Sequence, residues 1–187
     1  MAQEMRRADK LMPEHRIYEL LETGYCARLG TVDPDGWPYV CPLLFVWQQG
    51  RVWFHNTVAD GHFKSNVRHN ARACLEIDVP GEVFPYGRYA CDTSIEYRSI
   101  IAFGRIMIEE ERTAKVAFFQ ALMSKYYGND TSRPKRFFPR LDGVTLYSMS
   151  IERLTGKETP LPSPEQRWPA VDNTKSPTAS PLSDISD

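Results

Sequence analysis

The chain lacks the sequence motifs of several common nucleotide-binding and hydrolytic enzymes. It has neither a Gly-x-Gly-x-x-Gly stretch nor a Gly-x-x-x-x-Gly-Lys-[Ser/Thr] stretch, so neither a Rossmann site nor a P-loop is predicted. It also has no Gly-x-Ser-x-Gly nucleophile elbow. A phosphorylated ligand would have to be recognised by another arrangement of residues.

Paired cysteines, an excess of charge of one sign and long apolar runs are also missing. No two cysteines form a Cys-x-x-Cys pair, and Cys26, Cys41 and Cys74 lie in apolar surroundings, which indicates a reducing compartment without zinc or disulfides. The net charge of −1 provides no basic field for nucleic acid. The best apolar run, residues 39–47, is broken by Pro42 and is too short to span a bilayer. Because the first residues are charged and do not resemble a secretory signal, we expect a cytoplasmic protein with no nucleic-acid or membrane partner.

The length of 187 residues predicts one domain with a tail at each end. Residues 1–11 are polar and are predicted to form a flexible N-terminal arm. Residues 12–156 hold the periodic apolar pattern of a folded domain. Residues 157–187 are rich in Pro and Ser, with little to bury, and are predicted to form a tail.

Apolar periodicity predicts a mostly β domain with three helices at its periphery. Short turns join most of the strands, and Asp33-Pro-Asp-Gly36 is a strong hairpin signal. Because closure removes sheet edges, a closed barrel is favoured over an open sheet. The six predicted strands are residues 25–32, 37–47, 51–56, 72–79, 96–108 and 144–151.

The most informative stretch is residues 54–66. A strand ends on His55, Asn56 and Thr57, and a turn then opens a short helix with His62 and Lys64 in its first turn. Free N–H groups at a helix start and a lysine charge together suit a phosphate group. The alternative, a solvated helix start with no ligand, stays open at this point.

Histidines and aromatic residues provide weaker indications. His55, His62 and His69 are seven residues apart, but no carboxylate stands at ligand spacing, so no metal is predicted. By its position His55 is either a ligand contact or a satisfied histidine at a strand end. The aromatic segment at residues 84–89 either lines a flat ligand or packs as a loop.

Together these pieces resemble the flavin-binding split-barrel proteins related to pyridoxamine 5'-phosphate oxidase, and among them the nitroimidazole-resistance family most. The resemblance covers roughly residues 5–157, in the right order. The segments that carry it are residues 5–10, 30–39, 40–46, 54–64, 97–104 and 151–157.

The resemblance implies a six-stranded antiparallel split β-barrel of Greek-key type that forms a homodimer with FMN at the interface. Strand 40–46 would lie along the flavin ring, and the helix start after Gly61 would hold the phosphate. The partner would contribute groups from residues 84–97. The implied cofactor-binding residues are Leu43, Leu44, Phe45, His55, Asn56, Thr57, His62, Lys64, Asn66, Tyr97 and Ser99.

The implied activity is that of an FMN-dependent oxidoreductase. Electrons would pass from NAD(P)H to a small electron-poor acceptor, a nitroaromatic being one candidate, with His55 as the catalytic residue that orients or protonates the acceptor. Two departures stand out: Phe63 separates His62 from Lys64, and Arg153-Leu154 is followed by Thr-Gly-Lys, which disfavours pyridoxamine phosphate oxidation. The alternatives are a flavin-binding or haem-binding module without turnover and a pyridoxamine phosphate oxidase-like enzyme.

Overall fold

The computed structural model describes residues 7–86, 91–128 and 138–167. Seven strands form one sheet in the order β2-β1-β5-β6-β7-β4-β3, and every neighbouring pair is antiparallel. The strands are β1 (Ala27–Val32), β2 (Pro38–Leu43), β3 (Phe45–Gln48), β4 (Arg51–Thr57), β5 (Arg72–Pro85), β6 (Thr93–Glu109) and β7 (Val144–Thr159). The helices are α1 (Glu14–Thr23), α2 (His62–His69), α3 (Arg112–Tyr127) and the four-residue α4 (Pro164–Arg167), with 3₁₀ turns at Ala8–Lys10 and Leu141–Gly143.

The predicted strand at residues 37–47 is two strands, so the count of six is wrong. Its first half, β2, pairs with β1, whereas its second half, β3, pairs with β4. The break falls at Leu44, and the in–out alternation ends there because Phe45 and Val46 are both buried. Period-two patterns do not reveal which neighbour a strand pairs with, so the sequence could not show this change of partner.

The prediction of a closed barrel is also corrected. Strands β2 and β3 are the two edges of the sheet, and no ladder of hydrogen bonds joins them. Only Leu44 separates them in the chain, so the curved sheet brings its two edges close together at this residue. The predicted class, mostly β and antiparallel with peripheral helices, is confirmed. The sheet is open, because its hydrogen bonding does not close into a barrel.

The core lies on the inner face of the curved sheet. Helices α1 and α2 close it with Leu20, Leu21, Phe63 and Val67, as the apolar spacing predicts. The largest fully buried side chains include Phe45, Phe54, Leu75, Ile77, Ile100, Tyr147 and Met149. Helix α3 packs on the outer face over β3, β4 and β7, where Val46, Phe118, Leu122 and Leu146 form a second cluster.

Three of the strands extend further than the sequence pattern predicts. Strands β5 and β6 continue into much of the predicted loop at residues 80–93, past a bulge between Pro80 and Val83. Strand β7 runs to Thr159, so residues 157–159 belong to the sheet although the sequence assigns them to the tail. Backbone pairing with β6 stabilises them despite their polar composition.

The end of the predicted N-terminal arm is also held on the sheet. Ala8–Lys10 form a 3₁₀ turn, and Leu11 makes an isolated bridge to Lys157. Residues 1–6 and 168–187, which belong to the two predicted tails, lie outside the described residues. Within the described ranges no helix has the length and apolarity needed to cross a membrane.

Candidate functional site

The predicted helix start forms as expected after the end of β4. Gly61 precedes α2 in an extended conformation, with φ −160° and ψ 176°. The first backbone bond of the helix runs from the Ser65 N–H to the Gly61 carbonyl, at 3.0 Å. The amides of the first turn point out of the helix with no intrahelical acceptor, and the helix dipole adds partial positive charge there.

Lys64 is held within the turn that precedes α2. Its side chain is 8% exposed, and its Nζ donates to the Val58 carbonyl at 2.7 Å and lies 3.4 Å from the Asp60 carboxylate. Arg68 reaches the same carboxylate at 3.0 Å. Hydrogen bonding from Lys64, with the charge of Arg68, lowers the pKa of Asp60. Because two cations share one carboxylate, the turn carries a net positive charge.

His62 and Asn66 fasten α2 over the first two strands. The exposed His62 ring has its centroid 5.9 Å from that of Tyr39 on β2. Asn66 is 1% exposed, and its Nδ2 donates to the Thr31 hydroxyl of β1 at 3.1 Å. Asn66 is therefore occupied with holding the helix to the sheet.

Asn56 and Thr57 lie beside this helix start, at the end of β4. The Tyr147 hydroxyl donates to Asn56 Oδ1 at 3.1 Å, and burial raises the pKa of Tyr147. Thr57 is exposed. The structure thus brings Asn56, Thr57, His62 and Lys64 together around one turn.

His55 lies on the opposite face of β4, beneath α3. Its ring meets those of Phe118 and Phe119 edge-on, at centroid distances of 5.4 and 5.0 Å. Its Nδ1 is buried and has no hydrogen-bond partner among the described residues, and burial lowers the pKa of the imidazole. His55 is therefore a neutral histidine in an aromatic setting near neutral pH.

The crossing from β2 to β3 holds Leu43, Leu44 and Phe45. Leu43 is half-buried, Leu44 is 41% exposed and Phe45 is fully buried. Phe45 pairs with Phe54, three residues before Thr57 on β4, so the crossing is about 10 Å along the strand from the start of the turn. An elongated ligand could span these two places.

Tyr126 fixes the backbone of this crossing, and sequence reasoning missed it. Its hydroxyl accepts from the Phe45 N–H at 3.1 Å and donates to the Phe45 carbonyl at 3.0 Å. Tyr126 is 81 residues away in the chain, and the stripe on α3 predicts only that it packs. The sequence shows only a tyrosine among apolar helix residues, so it does not predict that the hydroxyl bonds both the N–H and the carbonyl of one residue on another element.

Lys125, next to Tyr126, has a buried amine with no hydrogen-bond partner in the described part of the chain, and its Nζ lies 3.6 Å from the centre of the Phe45 ring. Burial lowers its pKa from 10.5 to about 8. The charged amine destabilises the folded state below pH 8, and this cost disappears as pH rises toward 10.5. We therefore expect Lys125→Met to raise the free energy of unfolding by about 1–2 kcal/mol at pH 7, after allowance for partial solvent exposure.

Urea unfolding of the wild-type protein and of Lys125→Met, at pH 7 and at a pH close to 10.5, tests this expectation. The advantage of the variant should shrink as the pH rises. An advantage that is independent of pH would show that packing, not charge, is responsible.

Tyr97 and Ser99 lie at the other end of the sheet from the turn before α2. Tyr97 pairs with Thr159 of β7, whereas Thr57 pairs with Val144, so the two residues stand beside opposite ends of that strand. The crossing is nearer to Ser99, because Phe45 and Ile77 both lie against Gly24 and Ile77 pairs with Ile100. Within one chain, Tyr97 and Ser99 are therefore separated from the turn and not from every predicted cofactor residue.

The aromatic residues Trp47 and Trp53 both find partners within the chain. The Trp47 ring packs against Tyr18 with centroids 6.2 Å apart, and Trp53 Nε1 donates to the Gln48 carbonyl at 3.0 Å. Of the predicted loop aromatics, Phe84 and Tyr86 are buried, and residues 87–89 lie outside the described part of the chain.

In the described part of the chain no group of three or more His, Cys, Asp or Glu residues is placed to hold a metal ion.

Comparison with known proteins agrees with this architecture. A family model described as pyridoxamine 5'-phosphate oxidase matches residues 13–158. A search of the curated proteins gave no match.

Three solved structures share the fold at sequence identities of 18–21%. The flavocytochrome Anf3 from Azotobacter vinelandii has a TM-score of 0.72 and aligns over 98% of this chain and 92% of its own. The FAD and heme binding protein from Mycobacterium smegmatis has a TM-score of 0.67 over 82% and 76%. A candidate 5-nitroimidazole antibiotic resistance protein from Bacteroides thetaiotaomicron has a TM-score of 0.64 over 79% and 85%. At these identities the likeness concerns the fold alone.

Proposed function

This chain belongs to the pyridoxamine 5'-phosphate oxidase family, and we propose that it is an FMN-dependent oxidoreductase that uses NADH or NADPH to reduce a small electron-poor acceptor. The observation that carries the proposal is the positively charged turn at the start of α2, about 10 Å along β4 from the exposed crossing at Leu44. A phosphorylated, elongated, flat ligand fits that arrangement.

Each part of the arrangement has a separate role in the proposal. The first-turn amides of α2 and Lys64 hold the phosphate. The crossing at Leu44, kept in place by Tyr126, supports the ring. When bound, FMN supplies the two-electron chemistry, and the protein supplies binding and orientation. Without a Rossmann motif, the nicotinamide would bind only transiently over the flavin.

We further propose that the protein is a homodimer and that the partner contributes Tyr97 and Ser99. The outer face of the sheet carries apolar side chains that no described element covers. One row of paired positions crosses four strands: Val40 of β2, Gly30 of β1, Cys74 of β5 and Phe103 of β6. Val40 in this row is 63% exposed. An exposed apolar row of this kind is typical of an interface.

The variant Phe103→Glu is expected to convert the dimer into a monomer at micromolar concentration and to weaken FMN binding. The Arg153 guanidinium lies 4.0 Å from the Phe103 ring centre, so the new carboxylate has a partner and the chain should still fold. Sedimentation velocity measures the change, and Gln120→Glu on the exposed face of α3 is the matched control. A wild-type monomer with full FMN occupancy would contradict the dimer proposal.

The visible spectrum tests the proposed activity most directly. Purified protein mixed with FMN should be yellow, should bleach under anaerobic conditions with NADH or NADPH, and should regain colour when a nitroaromatic is added. Yellow protein that neither nicotinamide bleaches would overturn the proposal.

The second candidate function is a flavin-binding or haem-binding module without turnover. The observation that favours it is His55, whose Nδ1 has no partner inside an aromatic setting. A Soret band after addition of haem, lost in a His55 variant, would support this candidate.

His55 is also the residue proposed to orient or protonate the acceptor, which requires the acceptor to reach the face of β4 that α3 covers. His55→Gln keeps a hydrogen-bonding side chain but cannot transfer a proton at neutral pH. We expect FMN binding and reduction by NADH to be unchanged, while reoxidation by the acceptor slows by about 100-fold. Stopped-flow kinetics separates these two half-reactions. If the variant reduces the acceptor at the wild-type rate, the imidazole has only a packing role beneath α3.

A further inference from the structure

A charged cavity lies at the end of the sheet remote from α2, beyond the part of the core that α1 covers. Its volume is about 300 Å³, and its walls include Arg16 of α1 and Glu96, Arg98 and Glu158 of the sheet. This is the volume of about ten water molecules, near the lower limit for small-ligand sites. The proposed flavin site uses one of its wall residues, Tyr97, and none of its charged groups.

The inner face of the sheet changes from apolar to charged at this place. Ile77 and Ile100 pair across β5 and β6 and are fully buried. Two residues before Ile100 on the same face, Arg98 stands opposite Glu158 of β7. Charged side chains that point inward beyond a core require partners, because leaving water is costly for them.

The ion pairs around the cavity use only some of the N–H donors of Arg16 and Arg98. Arg16 contacts Glu158 at 2.6 Å, and Arg98 contacts Glu19 of α1 at 3.5 Å. Each guanidinium has five N–H donors and makes one such ion-pair contact, so donors remain available to a ligand. The simpler explanation is that these pairs only fasten α1 to the sheet.

The carboxylate of Glu96 is held in position by the bulge of β5. The Glu82 N–H donates to Glu96 Oε2 at 3.4 Å, and the Glu96 carboxyl carbon lies 2.7 Å from the place where a Cβ on residue 81 would stand. A larger residue at position 81 would displace the flexible Glu96 side chain from this place. The carboxylate on the acidic side of the cavity therefore lies directly against the backbone of the bulge.

The balance of charge selects the class of ligand. Arg16, Arg98, Glu96 and Glu158 border one small space, in which Arg16 is paired with Glu158 and Arg98 with Glu19 at its edge. A simple anion would be repelled by the carboxylates, and a simple cation by the guanidiniums. A molecule with both signs of charge meets a complementary partner at each end. We propose that this cavity is a second ligand site, separate from the flavin site, for a small zwitterion of the amino-acid type.

Three probes with the same number of carbon atoms test the proposal by amide chemical shifts of the FMN-loaded protein: 4-aminobutyrate, butyrate and butylamine. We expect 4-aminobutyrate to shift the Gly81 and Tyr97 signals, with a dissociation constant at least tenfold lower than that of either other probe. The same titration without FMN should give the same constant, so the result does not depend on the proposed flavin chemistry. Equal binding of butyrate or butylamine, no shift, or displacement by FMN would each overturn the proposal.

Charge-removing variants make the test more specific. Glu96→Gln should abolish the preference for 4-aminobutyrate over butyrate, whereas Arg98→Met should abolish its preference over butylamine. Arg105→Met is the control, because Arg105 lies on the same strand and pairs with Glu152 at 2.7 Å on the outer face. If Arg98→Met does not fold, Glu96→Gln decides alone, and unchanged preferences would show that the cavity does not select by charge.

Discussion

Gly104→Ala is expected to destabilise the protein by about 3 kcal/mol, although glycine in a strand is usually the less stable choice. Gly104 lies where the β6–β7 register shifts, and it packs directly against the backbone of the neighbouring strand. An added Cβ would lie 2.9 Å from the Ser150 carbonyl carbon and 3.2 Å from the Ile151 Cα, and still closer to the Ser150 oxygen. Backbone atoms within a paired sheet cannot move aside as a flexible side chain can.

Urea unfolding measures this effect, with Gly143→Ala as the matched control. A Cβ on Gly143 would meet nothing within 4 Å, so its substitution should change the free energy of unfolding by no more than about 0.5 kcal/mol. If Gly104→Ala proves as stable as Gly143→Ala, β6 does not approach β7 as closely at this register shift as the structure shows.

Lys64→Ala is expected to weaken FMN binding by about tenfold to a hundredfold while changing riboflavin binding much less. Riboflavin has the same ring and ribityl chain as FMN but no phosphate, so the difference between the two ligands isolates the phosphate contact. In the structure the Lys64 amine is bonded to the Val58 carbonyl and lies close to Asp60. To reach a phosphate it needs only to exchange partners within the same turn.

Because Lys64 also ties this turn, its loss could disturb both ligands by loosening the backbone. Arg68→Ala is the control, since Arg68 contacts the same carboxylate from the last turn of α2 and is 57% exposed. We expect its effect on FMN to be smaller. Titration calorimetry with both ligands gives the four constants, and equal losses for FMN and riboflavin in Lys64→Ala would show that the amine does not touch the phosphate.

The sequence predicts elements that depend on local chemistry, and the structure confirms several of these. The helix start after Gly61 and the buried positions Phe63 and Val67 follow from turn residues and from spacing along one helix. The hairpin between β1 and β2 follows from Asp33, whose carboxylate accepts from the Asp35 and Trp37 amides at 3.0 and 2.8 Å. Family resemblance supplies the antiparallel class that spacing alone leaves open.

What the sequence could not predict depends on contacts between distant segments. The change of partner at Leu44 arises because β3 finds β4 while β2 stays with β1. The length of β7 is set by pairing with β6, which overrides a polar composition typical of a tail. Lys64 illustrates the same point within a site, because the sequence indicates its charge but not its contacts with the Val58 carbonyl and the Asp60 carboxylate.

The place of β7 between β6 and β4 has a consequence for folding during synthesis. Strand β4 has β3 on one side from the beginning, but its other partner is the last strand of the sheet to be made, about 90 residues later in the chain. Until β7 emerges from the ribosome, β4 and β6 both present unpaired edges to any other extended chain. Slow translation through the segment before β7 would therefore lengthen the period in which nascent chains are prone to aggregate.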